Sequence, residues 1–353
     1  MICGCAVYEV HREMMTRFAK SQEVGRFVAQ DALTTLASKI TTSDFAKAAK
    51  PFVVVNTTGF VKSGLTEVTV EWDRREFSEA GTIQEQRAAL EAELAQLPAL
   101  TVVNAQGEPV PFRMVKQAVE FHYDLPKDRF RVAYQAIELT LALNVAAMPA
   151  FGWKALALQA AEQPVAPIAA SQPEPRELSN AYFKVTVATD GSLTVTNRET
   201  GRTYHQMLVF EDTGDMGNEY IYRQTADNHA ILSTDFPSEV RLVHDDAVGT
   251  EVEIVNHMQI PVSADATLEK ETHAVVDITQ RTAQRSATLK PLDITTRIRL
   301  SQDSRQLQFE SHLNNEMKDH RVRVRFATDL KTETNASASI YDTVILPNHP
   351  AKT

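Results

Sequence analysis

The sequence predicts a mainly β protein with an N-terminal helical segment, and three observations carry that reading. Apolar residues recur every three or four positions only up to Ile40: Val7, Val10, Met14 and Phe18, then Val24, Phe27, Val28, Leu33 and Leu36. From Phe52 the period falls to two, with Val68, Val70 and Trp72 alternating against Glu67, Thr69 and Glu71. After Arg176 the strand-like runs follow one another without helices between them, as in a sandwich and unlike a parallel sheet.

Taken in order, residues 5 to about 40 read as helix, either continuous or broken once near Ser21–Gly25, where Gly25 weakens the pattern. Packed as a pair of bundle helices, they would connect domains. Thr41-Thr42-Ser43-Asp44 supplies the stop, and Pro51 disfavours helix at the residue before it. Strands follow at Phe52–Val55 and Leu65–Trp72. Residues 82–97 form a charged helix with Ile83, Leu90, Leu94 and Leu97 on one face, and read as a surface insertion. Strands resume at Leu100–Asn104, around Val110–Val115 and at Glu138–Leu143, with a hairpin turn at Asn104–Gly107. The run to Trp153-Lys154 closes a small β-domain.

Pro164, Pro167, Pro173 and Pro175 then stand among Ala, Gln and Glu, a composition that buries no core and reads as an extended linker. Beyond it, Tyr182–Val187, a turn at Asp190-Gly191 and Leu193–Val195 form a hairpin. Further strands are expected at about 238–244, 250–258, 272–282, 292–300, 305–314 and 320–328. The division is therefore 1–49 helical, 50–160 small β-domain with its insertion at about 82–97, 161–177 linker, and 178–353 large β-sandwich.

Composition narrows the function classes. A chain of 353 residues suits two or three domains of roughly 100–200 residues. Its formal charge of −10 argues against nucleic-acid or anionic-membrane partners, and no run approaches the ~20 apolar residues of a membrane span. No signal-peptide pattern opens the chain, which is informative only if Met1 is the true start; the compartment read from this is the cytoplasm. A homo-oligomer stays among the options. The two cysteines, Cys3 and Cys5, are too close to staple a fold. With His11 they lack the second ligand pair of a structural zinc site, so a tight turn with two small thiols competes with a metal reading. The ten histidines show no H-x-x-x-H or H-E-x-x-H pair, and there is no nucleophile elbow, P-loop or dinucleotide fingerprint.

Ile2-Cys3-Gly4-Cys5 followed by Glu9-Val10-His11-Arg12-Glu13-Met14-Met15-Thr16-Arg17-Phe18 resembles the middle domain of family 38 glycoside hydrolases, the α-mannosidases. Met1, Ala6 and Tyr8 depart from the family pattern. Met148–Lys154 resembles the element that closes the family's small β-domain, and 178–185 with 201–204 the opening strands of its large one. In bacterial members the first run directly follows a His-Asp-Ser triplet whose His binds the catalytic zinc, which would place that His just upstream of Met1. The family pattern also continues past Pro350, so both ends read as cut.

The resemblance implies a galactose-mutarotase-like super-sandwich and a mannose-containing oligosaccharide or mannoside as substrate. It also implies a retaining mechanism with a carboxylate nucleophile, a carboxylic acid/base and Zn2+ in the full-length enzyme. Those groups would lie in an N-terminal α/β-barrel, so no catalytic residue, metal ligand or cofactor is expected in this chain, which alone is expected to be inactive. A non-catalytic carbohydrate-binding or structural β-sandwich module is the competing reading, and a gene fragment without activity a third.

The best constellation is Phe210–Tyr222, read as an inter-strand loop with four acidic residues and two glycines between Glu211 and Glu219. It resembles a family Glu-Asp-x-Gly-Asp-x-Gly-Asp-x-Tyr run that approaches the catalytic domain, with Asn218 replacing the usual Asp. Three readings stand: a calcium loop, whose spacing does not fit an EF-hand; an acidic surface turn; or the rim of a sugar pocket. In the last, Asp215, Asn218, Glu219 and Tyr220 bind substrate, and Gly214 and Gly217 let the backbone bend toward a neighbour. Arg321, Arg323 and Arg325 share one strand face opposite Val322, Val324 and Phe326, either solvated or contacting substrate or another domain.

Overall fold

The computed structural model describes residues 8–77, 81–126, 128–161, 176–218, 220–227, 229–339 and 341–349. Helix α1 (Tyr8–Ala37) is one uninterrupted helix in place of a bundle pair, and none of its residues is buried. Gly25 passes inside it with nothing within 4 Å of where a Cβ would stand, so its cost is only that of a flexible residue. The apolar stripe forms as the spacing predicts, but Val10, Phe18, Phe27 and Leu33 are exposed.

The next part is built from β1 (Lys50–Val55), β2 (Lys62–Glu76), α2 (Ile83–Leu94), β3 (Leu100–Asn104), β4 (Pro109–Val110), β5 (Phe112–Asp124), β6 (Val132–Met148) and β7 (Trp153–Ala160). They form two antiparallel sheets, β1-β7-β3-β4 and β2-β6-β5. Alternation explains the core: Leu139, Leu141 and Leu143 of β6 are wholly buried. Between them Thr140 turns outward, its hydroxyl 3.1 Å from that of Thr69. Leu156 and Leu158 of β7 and Val102 of β3 pack into the same core.

Two expectations need correction here. Helix α2 is a cover for this core and no mere surface insertion, because Leu90 is wholly buried while Leu94 and Leu97 pack against the same cluster. Ile83, predicted on the buried face, is 48% exposed. The helix starts at a capping box in which Thr82 and Glu85 satisfy each other's backbone amides. The second correction is length: β5 and β6 run well beyond 110–115 and 138–143, and β7 continues past Lys154 as a central strand. The polar residues that hid them, such as Gln117 and His122, lie in the paired ladder all the same.

The prolines expected to form a linker, with positions 162–175, lie outside the described residues, as do Cys3 and Cys5; strand pairing begins again at Glu177. Strands β8 (Glu177–Ser179), β9 (Phe183–Val187), β10 (Leu193–Asn197), β11 (Thr203–Gly214) and β12 (Ala230–Leu232) form one sheet in reverse order. A second sheet holds β13 (Ser238–Asp245) and β14 (Gly249–Pro261). After α3 (Ala266–His273) it continues with β15 (Leu289–Ser301) and β16 (Gln308–Leu313). Strand β17 (His320–Phe326) returns to the first sheet beside β11. The pair β18 (Thr334–Ser339) and β19 (Asp342–Pro347) bonds only to itself among the described residues.

The two sheets bury one shared core that includes Val185, Leu193, Leu208 and Phe210 from the first and Val252, Ile254, Ile294 and Ile298 from the second. Gly191 turns the hairpin at φ 81° and Gly107 the earlier one at φ 78°, both left-handed positions that suit glycine. The strand expected at 272–282 does not form. Asp265 caps α3 by accepting from the Thr267 amide at 2.9 Å, and the chain then runs irregularly past Val275, which is 86% exposed. Val324 and Phe326, on the strand face opposite the arginines, are 44% and 40% exposed. The two β regions meet through Arg113–Asp246 at 2.8 Å and through Asn144, which donates to Asp303 at 2.8 Å.

Candidate functional site

The Phe210–Tyr222 stretch is only half loop. Phe210 to Gly214 belongs to β11, gripped by β17 on one side and by β10 and then β12 on the other. Alternation turns Phe210 and Asp212 to the core face of the strand and Glu211 and Thr213 to the opposite face, where they too are buried. A wholly buried carboxylate needs charged or hydrogen-bonding partners, and Asp212 has two. The Arg285 guanidinium pairs with its Oδ1, and His320 Nδ1 lies 2.5 Å from its Oδ2. Both side chains are themselves buried, at 4% and 3% exposure, and His320 Nε2 reaches Asn315 at 3.0 Å. On the outer face Glu211 takes Arg323 as a close ion pair, with Arg325 at 3.4 Å.

The loop proper starts at Asp215. Its Oδ1 accepts the amides of Gly217 at 2.9 Å and Arg223 at 3.1 Å, folding the chain back on itself. Asn218 Oδ1 does the same for Tyr220 and Ile221, both at 2.9 Å. Glu219 lies outside the described residues. Tyr220 is 64% exposed at the tip. Tyr222 turns back, donating its hydroxyl to Thr213 at 3.0 Å while its ring carries the Arg321 guanidinium 3.7 Å from the centroid.

The segment misread as a strand braces this loop from beneath. Arg281 donates to the carbonyls of Met216 and Gly217, at 2.5 and 2.9 Å, and the Ala226 amide bonds Ala283. Asp277, which receives the Thr279 hydroxyl and amide, is held below the usual carboxylate range. Neither loop glycine has a left-handed φ. They are required by close approach: a Cβ on Gly217 would stand 1.8 Å from the Ile221 carbonyl oxygen, and one on Gly214 would meet Thr225 and Arg285. Their role is to let the loop close on itself, in place of the flexing read from the sequence.

Three of the predicted site positions, Asp215, Asn218 and Tyr220, thus share one loop, but the Oδ1 atoms of Asp215 and Asn218 serve the backbone. The buried pairing of Asp212 with Arg285 and His320 was missed. The one local cue was Asp319-His320 opening a strand. Among the described residues no three His, Cys, Asp or Glu side chains gather as a metal site, and no helix is long and apolar enough to cross a membrane. His11 stands exposed on α1.

Comparison with known proteins follows this geometry. Residues 47–160 match the profile of the glycosyl hydrolases family 38 C-terminal domain 1, and residues 178–353 that of the glycosyl hydrolases family 38 C-terminal domain. The chain is similar to a solved α-mannosidase from Enterococcus faecalis V583, with a TM-score of 0.90 and 40% identity over 99% of its length. A second Enterococcus faecalis structure, a protein in glycosyl hydrolase family 38, gives 0.86 and 39% over 98%. A curated relative from Halalkalibacterium halodurans, named as a mannosylglycerate hydrolase, is 28% identical over 353 residues. The chain spans 39% of the length of that relative, and 39% and 41% of the two solved proteins.

Proposed function

This chain belongs to glycosyl hydrolase family 38, through that family's C-terminal domains, and from that premise we propose that it serves as the helical and β-sandwich part of an α-mannosidase. The observation that carries the proposal is the match along 99% of the chain, at 40% identity, to a protein described as an α-mannosidase. On this reading the substrate is a mannoside, and the larger sheet pair is a mutarotase-like super-sandwich in the cytoplasm. The retaining mechanism and its zinc belong to the whole enzyme. The described residues offer no ligand set for that metal, so no step is assigned to it here.

The part proposed for this chain is the rim of the sugar pocket, through the loop from Asp215 to Tyr222. Its brace of buried ion pairs suits a group that must be held still for recognition. Tyr220 offers a hydroxyl at the exposed tip. Asp215 and Asn218 shape the loop first, and would reach sugar hydroxyls only with lone pairs not given to the backbone. That same bonding favours the second reading, a structural module whose loop has no ligand.

Tyr220→Phe in a protein of full family length separates the two. It removes one oxygen from the tip, and losing one hydrogen bond to a sugar hydroxyl should lower kcat/KM on an aryl α-mannoside by roughly 5- to 150-fold, about 1–3 kcal/mol. Unchanged turnover in that variant favours the structural module. The 353-residue chain alone should neither hydrolyse the aryl mannoside nor bind zinc stoichiometrically. Robust turnover that a chelator abolishes would place the chemistry inside it.

A further inference from the structure

Strand β5 stands at the rim of its sheet. β6 pairs with it on one side, and among the described residues no strand pairs with the other. Such an edge offers a row of backbone donors and acceptors to any chain that can lie against it. It is interrupted once, by a bulge at Val115, and then runs from Lys116 to Asp124 in unbroken register with β6. On the strand and at the end of its hairpin, apolar side chains stand in solvent: Val115, Phe121, Tyr123, Leu125 and Phe130, the last two 78% and 81% exposed. Patches of that kind, rich in aromatics, mark protein contacts. The rings are fixed, with Phe121 edge-on to Tyr123 at 4.7 Å and Arg131 over Tyr123 at 4.5 Å.

The order of charges along β5 points to the occupant. A lone lysine on an edge strand repels a second copy. Lys116 comes instead with Glu120, on the same face and equally spaced about Ala118. Within one chain the two meet at 2.7 Å only by spanning about 13 Å of strand across Ala118. In an antiparallel pair of β5 strands with its two-fold axis at Ala118, Lys116 of each copy lies directly opposite the partner's Glu120, with Cβ atoms about 5 Å apart. On the other face the same register sets Gln117 opposite the partner's Val119 and brings Phe121 level with the partner's Val115. Strand β2, the other edge of the sheet, lacks this symmetry. It is bulged twice, and between the bulges its charged residues are Glu67 and Glu71, both acidic. We propose that the chain forms a two-fold dimer through β5, joining the two β2-β6-β5 sheets into one. The inference is independent of the sugar reading.

Sedimentation velocity over a concentration series of the 353-residue chain tests it. Wild type should pass from monomer to dimer and go no further, because a two-fold contact uses up the β5 edge of both copies. Lys116→Glu and Glu120→Lys, both at accessible positions, should leave thermal unfolding nearly unaltered. Each places like charges across the axis twice, and should weaken association about a hundredfold, a factor of about ten for each reversed pair. An equimolar mixture of the two variants should dimerise as wild type does. Neither chain in that mixture holds a Lys–Glu pair of its own, so recovery there reports contact between copies and not repair within one. A wild type that stays monomeric up to its solubility limit overturns the proposal, whether the edge then lies bare or takes a segment of another chain. So does a dimer that both single variants keep, a mixture that fails to recover, or growth into longer oligomers, since each would mean that another surface joins the copies.

Discussion

At the scale of single residues, Asp212 is the position on which the candidate loop stands. Its carboxylate is the shared partner of Arg285 and His320, and all three side chains are buried. Asp212→Ala strands two cationic or polar groups in the interior, a change that should cost about 3–5 kcal/mol and appear as a lower urea midpoint. An unchanged midpoint would mean that water reaches this cluster. Asp212 also shows what the sequence could not reveal. Hydropathy period is a local signal, and here it met Glu211-Asp212 and read a loop. The partners that make an acidic strand tolerable stand 73 and 108 residues further along the chain. By contrast Gly191 and Gly107 were legible, because turns are set by residues within a few positions of each other.

At the scale of elements, the loop from Asp215 to Tyr222 and the helix α2 are each held by contacts that one methyl group can test. Gly217→Ala drives a Cβ into the Ile221 carbonyl, so the loop must open at a cost of roughly 1–3 kcal/mol. Faster amide exchange at Gly217 and Arg223 would register it; protection equal to wild type would show that the loop backbone relaxes freely. Leu90→Ala in α2 should cost about 2–5 kcal/mol in the same unfolding assay, since Leu90 is wholly buried under the helix. A value near zero would return α2 to the role of surface insertion. Strand β13 carries a pH-dependent contact. Burial, then the nearby Arg113 guanidinium, holds His244 below the ordinary histidine value of 6.5. The folded state therefore binds fewer protons there than the unfolded chain, so stability rises with pH through that window and is lost as pH falls below 6.5. His244→Gln should flatten the dependence of unfolding free energy between about pH 7.5 and 5.5; an identical slope would exclude His244 as its source.

At the scale of the whole molecule, the question is how firmly the two β regions are coupled. Among the described residues, Arg113–Asp246 and Asn144–Asp303 are polar links between them, and Asn144 is buried at 3% exposure. Replacing Arg113 and Asp303 together by alanine should split or broaden a single calorimetric transition into two. One sharp transition in the double variant would show that apolar contact alone couples the regions. Limited proteolysis addresses the proposed division from the other side. Cleavage should fall within 161–177 and release a resistant fragment beginning near Leu178, whereas cuts concentrated inside β9 to β17 would refute it. The two-sheet architecture was readable because runs of strands without helices admit few arrangements. The position of β17 was not, because its return to β11 crosses the entire second sheet.

That return has a consequence in time. A ribosome that has just extruded Asp212 must add 108 more residues before His320 exists to meet it. At cellular elongation rates this is a wait on the order of 5–20 s. Strands β8, β9 and β10 can zip together meanwhile, since each needs only its immediate neighbour. The acidic strand cannot settle until β17 arrives. The segment that shapes the proposed sugar contact therefore waits longer for its form than β8, β9 and β10 beside it, and stays open to chaperones meanwhile.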